Sequence, residues 1–510
     1  MKKINTSTWI ILAGIFLYTA TLWQRPLFVF EFTEWGTFAD NACKGIFPLS
    51  RHLELFILKN AGGTPFFFRI FTALLTLLAA LMIFLSGLKS TFPNSAKGGA
   101  IIFLLTPAIF LCGTSASPAL QQGALLTAAL YALWGCTQTD NWKNALPAGI
   151  AATLFLTGMV TLFTAPILYL TAFAVLFLTL ICLKQYTFKA FALLLLPFIP
   201  GIFFLCGTSP EVCFHLPCKA GIKTLAAFMA AGTFPWIVFT PVLLKNSRSR
   251  LAALCKEPFT CFCLLLFVCA LAGALFTTGA TSLALATAAL SGAAVVWAAL
   301  MEMEHLENGS HLFDKTLRVL AVLFFLGAAA VGGYALLTLY TKVIPPALRL
   351  FTAKDAWALT ALVPVVSGIW FIAGAGEKVY KERKFLAFCA GTAFALLAFH
   401  GLVPLKTVEN NAPVKFLKQA VAPRLTRSAA IYCDTRLFAP AAAVFKSRTL
   451  EELDIEKVKA AAKARKSFCV LTLSRKTSDA LPFPKTTLRS GRFTAVFYNI
   501  DFPEMRVRKP

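Results

Sequence analysis

Apolar stretches recur along this sequence from the N-terminus to about residue 404. Each has about 17 to 25 residues, which is enough for an α-helix to cross the roughly 30 Å hydrocarbon core of a bilayer. Helices are the spanning elements because lipid cannot satisfy exposed backbone N–H and C=O groups. The sequence therefore predicts an α-helical polytopic membrane protein with about thirteen transmembrane helices.

The composition supports this prediction. Of 510 residues, 58% are hydrophobic and only 14% are charged, whereas soluble globular proteins have about 25% charged residues. The cysteines are scattered along the sequence, and most lie inside apolar runs, where they act as small hydrophobic residues. Their spacing does not match that of a zinc site. Only two pairs are placed for a disulfide, Cys213 with Cys218 and Cys433 with Cys469.

The first apolar segment is too long for a signal peptide and lacks a small-residue cleavage site, so we expect it to be retained as the first span. The predicted spans are 7–29, 66–88, 99–115, 118–136, 146–164, 166–183, 190–207, 224–244, 259–278, 280–301, 316–340, 356–375 and 385–404.

Positive charge alternates between successive loops, as the positive-inside rule requires. Lys and Arg crowd every second loop, whereas opposite loops such as 113–117 and 277–282 carry no charge. With an odd number of spans, the N-terminus is predicted to be cytoplasmic and everything after residue 405 extracytoplasmic. We expect a location in the bacterial inner membrane.

The last part of the chain has a different composition. Segments 428–434, 467–474 and 493–501 are typical of strands, and 449–466 of an amphipathic helix capped by Thr449. The sequence thus predicts two domains: a transmembrane domain, 1–404, and a small soluble extracytoplasmic α/β domain, 405–510.

Three predicted outer loops are long and polar: 30–65, 209–223 and 341–355. The first carries Glu31, Glu34 and Asp40, of which Glu31 and Glu34 would share a helix face. A partly desolvated carboxylate at the membrane boundary can take a proton from a hydroxyl or orient a polar substrate. The alternative is a set of solvated acids favoured by the helix dipole.

The formal net charge of +25 favours anionic partners, namely lipid headgroups or phosphorylated substrates. The positive-inside rule explains only part of this excess, because several cations lie in the outer loops. Six of them are candidates for binding a phosphate: Arg51, His52, Lys59, Lys342, Arg349 and Lys354. For each of them alone, the alternative is a headgroup contact by a snorkelling side chain.

The order of residues resembles that of a known family. The segment PLFVFEFTEWGTFADNA at 26–42 is similar to the first outer loop of polyprenyl-phosphate-sugar-dependent membrane glycosyltransferases of the C superfamily. That group includes the lipid A aminoarabinose transferase and the protein O-mannosyltransferases. Further similarity lies at 69–81, which opens with an Arg, at the Phe-Pro-Trp span 233–244, and at 410–454.

Several family motifs are altered in this chain. Glu31 stands where the family has Asp, and Phe32 replaces the second acid of the pair. Lysines of the family are missing from FPLSR at 47–51, LTGMVT at 156–161 and TTGATSLAL at 277–285. These departures favour, as an alternative, a catalytically inactive relative that acts as a scaffold or binder.

The resemblance implies an integral membrane glycosyltransferase that moves a sugar from a polyprenyl-phosphate donor to an extracytoplasmic acceptor, either a lipid A-type glycolipid or a protein. It implies an inverting single displacement, with Glu31 as base or acceptor-orienting group and with Glu34 and Asp40 as lesser candidates. No metal-ligand set and no certain cofactor is predicted, and a divalent cation is left open. Nucleic acid is not an expected partner.

A membrane transporter is a further alternative. Transporters place ionisable residues or Gly- and Pro-broken segments near mid-membrane, often in matched halves of the chain. Here the centres of the predicted spans are almost free of charge, and the polar material lies at the outer edge. The pattern favours the transferase.

Overall fold

The structure is a computed structural model of the chain. It describes residues 6–22, 65–88, 90–138, 142–163, 166–183, 198–199, 219–240, 247–277, 279–308, 311–340, 356–376, 384–402, 413–425, 429–445, 449–473, 475–482, 486–490 and 493–498. These residues form two compact units. The first contains the described parts of Met1–Leu22, Arg69–Leu348 and Ala353–Val403, and the second those of Trp23–Phe68 and Pro404–Pro510.

The first unit is built from helices. They are α1 Thr6–Thr21, α2 Pro65–Ser86 (whose first residues are grouped with the second unit), α3 Pro93–Leu105, α4 Pro107–Gly113, α5 Pro118–Thr137, α6 Trp142–Phe163, α7 Pro166–Cys182, α8 Lys219–Thr233, α9 Ser247–Lys256, α10 Pro258–Leu275, α11 Gly279–Asn308, α12 His311–Tyr340, α13 Ala356–Gly374 and α14 Lys384–Leu402. Residues 190–207 of the predicted seventh span lie almost wholly outside the described residues.

Four helices in the described part of the chain are long and apolar enough to cross a membrane. These stretches are Arg69–Ser86, Pro258–Leu275, Gly279–Glu307 and His311–Leu337. The bent pair Asn94–Leu105 and Pro107–Gly113 adds a fifth if it is one span. The first unit therefore has the helices of a polytopic membrane protein.

The predicted span 99–115 is not one straight helix. It breaks at Thr106, where α3 ends and α4 begins with an angle of 62° between them. Pro107 cannot donate a backbone hydrogen bond and disfavours the helical conformation of the residue before it, so Thr106 is extended (ψ 122°). The predicted span 224–244 also breaks, because α8 ends at Thr233 and Pro235 precedes a short 3₁₀ turn, Trp236–Phe239.

Helix α11 lies at the centre of the first unit, with 78% of its apolar stretch buried, against 17% for α12. Small residues allow the close packing of α11 on its neighbours. A Cβ at Gly292 would lie 2.4 Å from the Cys263 carbonyl oxygen of α10, and one at Gly123 of α5 would lie 2.7 Å from the Ala284 oxygen of α11. Any larger side chain at these positions would push the helices apart.

The second unit contains a five-stranded sheet in the order β2-β1-β3-β5-β4. Its elements are helical turns over Pro413–Arg424, then β1 Ala430–Cys433, α15 Thr435–Val444, β2 Leu450–Glu452, α16 Ile455–Lys463, β3 Phe468–Thr472, α17 Arg475–Ala480, β4 Thr486–Ser490 and β5 Phe493–Tyr498. Strand β1 pairs in parallel with β2 and β3, whereas β5 is antiparallel to β3 and β4. Side chains of β1, β3 and β5 alternate between two apolar clusters, so both faces of the sheet are covered.

Three predicted strands coincide with β1, β3 and β5, but the prediction for 449–466 is partly wrong. The segment starts as strand β2, and the helix begins only at Ile455, with Asp454 as its N-cap in place of Thr449. The Asp454 carboxylate accepts a hydrogen bond from the Glu456 N–H at 3.0 Å. Pairing of Leu450 with Ile431, a contact between distant residues, prevails over the local helix signal.

The expected Cys433–Cys469 disulfide is absent, since the two buried cysteines are not bonded to each other. The two cysteines lie on the adjacent strands β1 and β3, but Cys433 pairs in register with Leu471, and Cys469 with Ile431. This offset of two residues separates the side chains. Cys213 and Cys218 lie outside the described residues.

Candidate active site

All nine residues predicted for the site lie outside the part of the chain that the structure describes, so their assignment stays a prediction. They are Glu31, Glu34, Asp40, Arg51, His52, Lys59, Lys342, Arg349 and Lys354. The described helices nevertheless define where the first of these loops leaves and re-enters the helical bundle. The loop follows α1 and precedes α2.

The ends of α1 and α2 are joined by Arg69. Its guanidinium Nη1 donates to the Leu22 carbonyl oxygen at 3.4 Å, across a gap of 47 residues. Arg69 is only 1% exposed. The Arg69 side chain lies within the first unit and ties Leu22, the last described residue before the loop, to the helix after it.

A buried guanidinium has a large desolvation cost and is retained where oxygen atoms or negative charge surround it. The Leu22 carbonyl oxygen is one such partner of Arg69, and this bond fixes the start of α2 to the end of α1.

Two glutamines in the first two turns of α5 add buried amides next to α2, the helix of Arg69. The Gln121 side-chain N–H donates to the Thr72 hydroxyl at 2.8 Å, one turn along α2 from Arg69. Gln122 is also buried, and its Oε1 atom accepts no hydrogen bond from any residue that the structure describes. Buried amide oxygens normally have a partner, so this atom is placed to accept from a ligand or water.

Close packing brings α4 onto the same end of the bundle. A Cβ at Gly113 would lie 2.7 Å from the Tyr18 ring and 3.2 Å from the Thr76 hydroxyl. The Tyr18 hydroxyl donates to the Leu104 carbonyl oxygen at 3.1 Å, just before the break between α3 and α4. The ends of α1, α2, α4 and α5 thus meet in one region that contains several polar side chains, which we call the Arg69 end.

The opposite end of the bundle contains buried charges that are paired within the fold. Arg250 of α9 forms ion pairs with Glu304 and Glu307 of α11, and Lys384 of α14 pairs with Asp314 of α12. We call this region the Glu304 end. Paired charges of this kind hold helices together, and because these groups already bind each other, they are poorly suited to bind a ligand.

Carboxylates at the Glu304 end also join the start of α10 to the residues before α3. Glu257 caps α10 by accepting from the Thr260 N–H at 2.5 Å, and it accepts from the Ser90 hydroxyl at 2.8 Å. Glu302 accepts from the Asn94 amide at 3.0 Å. No group of three or more potential metal ligands occurs among the described residues.

Sequence reasoning missed Gln121, Gln122 and Thr72. The sequence does contain a signal for the two glutamines, because they are adjacent near the start of the predicted span 118–136. Amide side chains are unusual in an otherwise apolar membrane helix and often have a function. The Trp236 ring is buried, with its centroid 4.9 Å from that of Phe388.

The fold defines the class of protein. No family model matches the sequence, and no curated protein matches it. Among the solved structures that share its fold, two cover nearly the whole chain, so the chain has the fold of those structures.

Both neighbours are crystal structures of ArnT from Cupriavidus metallidurans. The first, bound to undecaprenyl phosphate, has 12% sequence identity and a TM-score of 0.65, covering 97% of this chain and 99% of that chain. The second, in the apo state, has 12% identity and a TM-score of 0.64, covering 97% of each. The recognition made from the sequence is thereby confirmed at the level of the fold.

Proposed function

We propose that this chain is an integral membrane glycosyltransferase that takes a sugar from a polyprenyl-phosphate donor and passes it to an extracytoplasmic acceptor, a lipid A-type glycolipid or a protein. The observation that carries the proposal is the likeness to ArnT over 97% of the chain, in a crystal structure that holds undecaprenyl phosphate. The loss of family lysines is the main argument against it.

In this proposal the Arg69 end of the bundle is the extracytoplasmic end, following the alternation of Lys and Arg between loops. The transmembrane domain is 1–404, and the domain 405–510 lies in the periplasm. Loop 30–65 then leaves and re-enters the bundle at the level where a lipid phosphate meets water. The buried Gln122 amide, whose Oε1 accepts no hydrogen bond among the described residues, supports a binding site there for a ligand with hydroxyl groups.

The proposed reaction is a single displacement. An acceptor oxygen attacks the anomeric carbon of the sugar, the bond to the phosphate oxygen of the lipid breaks, and the configuration inverts. If the acceptor is a hydroxyl, Glu31 takes its proton, with Glu34 and Asp40 as lesser candidates. If the acceptor is a phosphate, no base is needed, and Glu31 orients it.

The leaving lipid phosphate requires cations. We assign this role to the outer cations Arg51, His52, Lys59, Lys342, Arg349 and Lys354 as a group, with the arginines favoured because a guanidinium can bind a phosphate bidentately. The proposal requires no cofactor, and it leaves open whether a divalent cation assists.

The test is transfer of radiolabel from polyprenyl-phosphate sugars into the lipid and protein fractions of membranes. We expect Glu31→Gln to reduce transfer by roughly 100-fold or more if the residue is a general base. The control is Glu456→Gln, an exposed residue of α16 whose carboxylate pairs only locally, with Lys459 at 2.8 Å. Equal transfer by wild type and Glu31→Gln would remove Glu31 from the site without affecting the fold.

The second candidate is a catalytically inactive relative that binds the donor as a scaffold. It is favoured by Phe32 at the position of the second acid and by the altered segments 47–51, 156–161 and 277–285. This candidate predicts that undecaprenyl phosphate stabilises the purified chain while no donor sugar is transferred to any fraction. Transfer that depends on the chain would exclude it.

A further inference from the structure

An apolar groove runs between α1, α2 and α3, within the first unit. Its volume is about 360 Å³. Aliphatic and aromatic side chains form nearly all of its lining, and the only charged residue is Lys97. Several lining residues are also exposed, including Leu74 (57%) and Ile15 (42%), so the groove opens sideways on the apolar outer surface of these helices.

The length of the groove matches one leaflet of a bilayer. Along α2 its lining extends from Leu74 to Phe84. Ten residues of α-helix span about 15 Å. This is half of the roughly 30 Å hydrocarbon thickness, so a single acyl chain from one leaflet fits the groove from end to end.

Lys97 gives the groove a direction. It lies in the second turn of α3, at the Glu304 end of the bundle, and its side chain is partly buried. It makes no hydrogen bond or ion pair with any residue that the structure describes. By contrast, Lys384 at the same end pairs with Asp314. The Lys97 stem can lie along the apolar lining while its ammonium group reaches the lipid headgroups.

We propose that this groove binds one acyl chain of an anionic phospholipid in the leaflet at the Glu304 end, with the Lys97 ammonium on the lipid phosphate. The inference does not rest on the proposed function. The donor of the proposed reaction has its phosphate at the Arg69 end, whereas the free cation of this groove lies at the other end.

The test is native mass spectrometry of the purified full-length chain, titrated with phosphatidylglycerol or phosphatidylcholine with the same acyl chains. We expect the wild type to prefer phosphatidylglycerol by about fivefold, the effect of one lysine near an anionic headgroup. Lys97→Ala should abolish this preference, and Lys97→Arg should retain it. The matched control is Lys315→Ala, an exposed lysine in the first turns of α12 at the same end of the bundle.

Leu81→Trp tests the groove itself. Leu81 lines it and is 38% exposed, so a larger side chain can occupy the groove without disturbing the core. We expect this variant to lose binding of both lipids. Unchanged binding would show that the groove holds no acyl chain and would overturn the proposal.

Two further outcomes would overturn it. If Lys315→Ala reduces the preference as much as Lys97→Ala does, the selectivity comes from general surface charge. If undecaprenyl phosphate displaces phosphatidylglycerol from the wild type and Leu81→Trp also abolishes that binding, the groove belongs to the donor tail. The thermal stability of each variant in detergent shows that the chain is folded when these comparisons are made.

Discussion

At the Glu304 end of the helical bundle, buried charges neutralise each other, whereas at the Arg69 end the described polar groups bond to carbonyl and hydroxyl oxygens. Arg250 and Glu304 have side chains only 4% and 7% exposed and form a direct ion pair. Arg69, which is equally buried, donates to the Leu22 carbonyl oxygen. The first arrangement pairs two opposite charges of α9 and α11, and the second links a guanidinium of α2 to the backbone at the end of α1.

This difference separates residues that hold helices together from residues that are suited to bind a ligand. A buried ion pair is sensitive to the loss of one partner, because the other charge then stays buried alone. A buried amide in a binding site contributes little to folding, because its partner arrives only with the ligand. Substitutions at the two ends should therefore change the free energy of unfolding by different amounts and in opposite directions.

The largest effect is expected for Arg250→Met. The substitution leaves the Glu304 carboxylate buried without its cation and should lower the free energy of unfolding by about 3–5 kcal/mol. The double variant Arg250→Met/Glu304→Leu should recover most of this loss, because it removes both charges. Denaturant unfolding in mixed micelles measures both effects.

Arg318→Met is the matched control for this substitution, because Arg318 is an exposed arginine near the start of α12. It should change stability by less than about 0.5 kcal/mol. If the double variant loses as much free energy of unfolding as the two single variants lose together, Arg250 and Glu304 do not act as a coupled pair.

A smaller loss is expected for Glu257→Ala. The substitution removes the cap of α10 together with the bond from Ser90 and should cost about 2 kcal/mol in the free energy of unfolding. Ser90→Ala keeps the cap but removes the 2.8 Å bond to Glu257 and the longer 3.2 Å bond that the Ser90 hydroxyl accepts from the Phe92 N–H. It should cost less than Glu257→Ala, about 1 kcal/mol. A loss as large as that of Glu257→Ala would mean that the helix cap adds little to stability.

The sequence was sufficient to predict the class of fold, because runs of apolar residues with the length of a bilayer have few other structural solutions. It did not predict how individual spans break. Pro107 lies inside a continuous apolar run, IIFLLTPAIFL, so hydropathy alone gives one span, whereas the backbone at Thr106 turns by 62°. Pro107 signals that the helix is interrupted here. Whether the interruption is a kink within one helix or a break between two helices depends on how α4 packs on α1 and α2.

Side-chain burial was the other feature that the sequence could not supply. Arg69 follows four aromatic or proline residues at a helix start, which is also the pattern of an interfacial anchor. Whether the guanidinium turns toward water or into the bundle depends on the Leu22 carbonyl, 47 residues away. Similarly, Leu450 forms a strand because Ile431 offers a parallel partner, although its local sequence favours a helix.

The smallest effect on stability, and the sharpest contrast between the two ends, is expected for Gln122→Leu. This substitution replaces a buried amide, whose Oε1 accepts no hydrogen bond among the described residues, by an apolar side chain of similar size. The free energy of unfolding should stay unchanged or rise by up to about 1 kcal/mol, because an unpaired buried carbonyl is removed.

The neighbouring variant Gln121→Leu provides the control, since it loses the 2.8 Å bond to Thr72 and should cost about 1 kcal/mol. If the Arg69 end binds the donor, Gln122→Leu should nevertheless reduce sugar transfer or the stabilisation of the chain by undecaprenyl phosphate. A Gln122→Leu variant that is less stable than wild type yet binds undecaprenyl phosphate equally well would place Gln122 among the structural residues, and the two ends of the bundle would then no longer differ in kind.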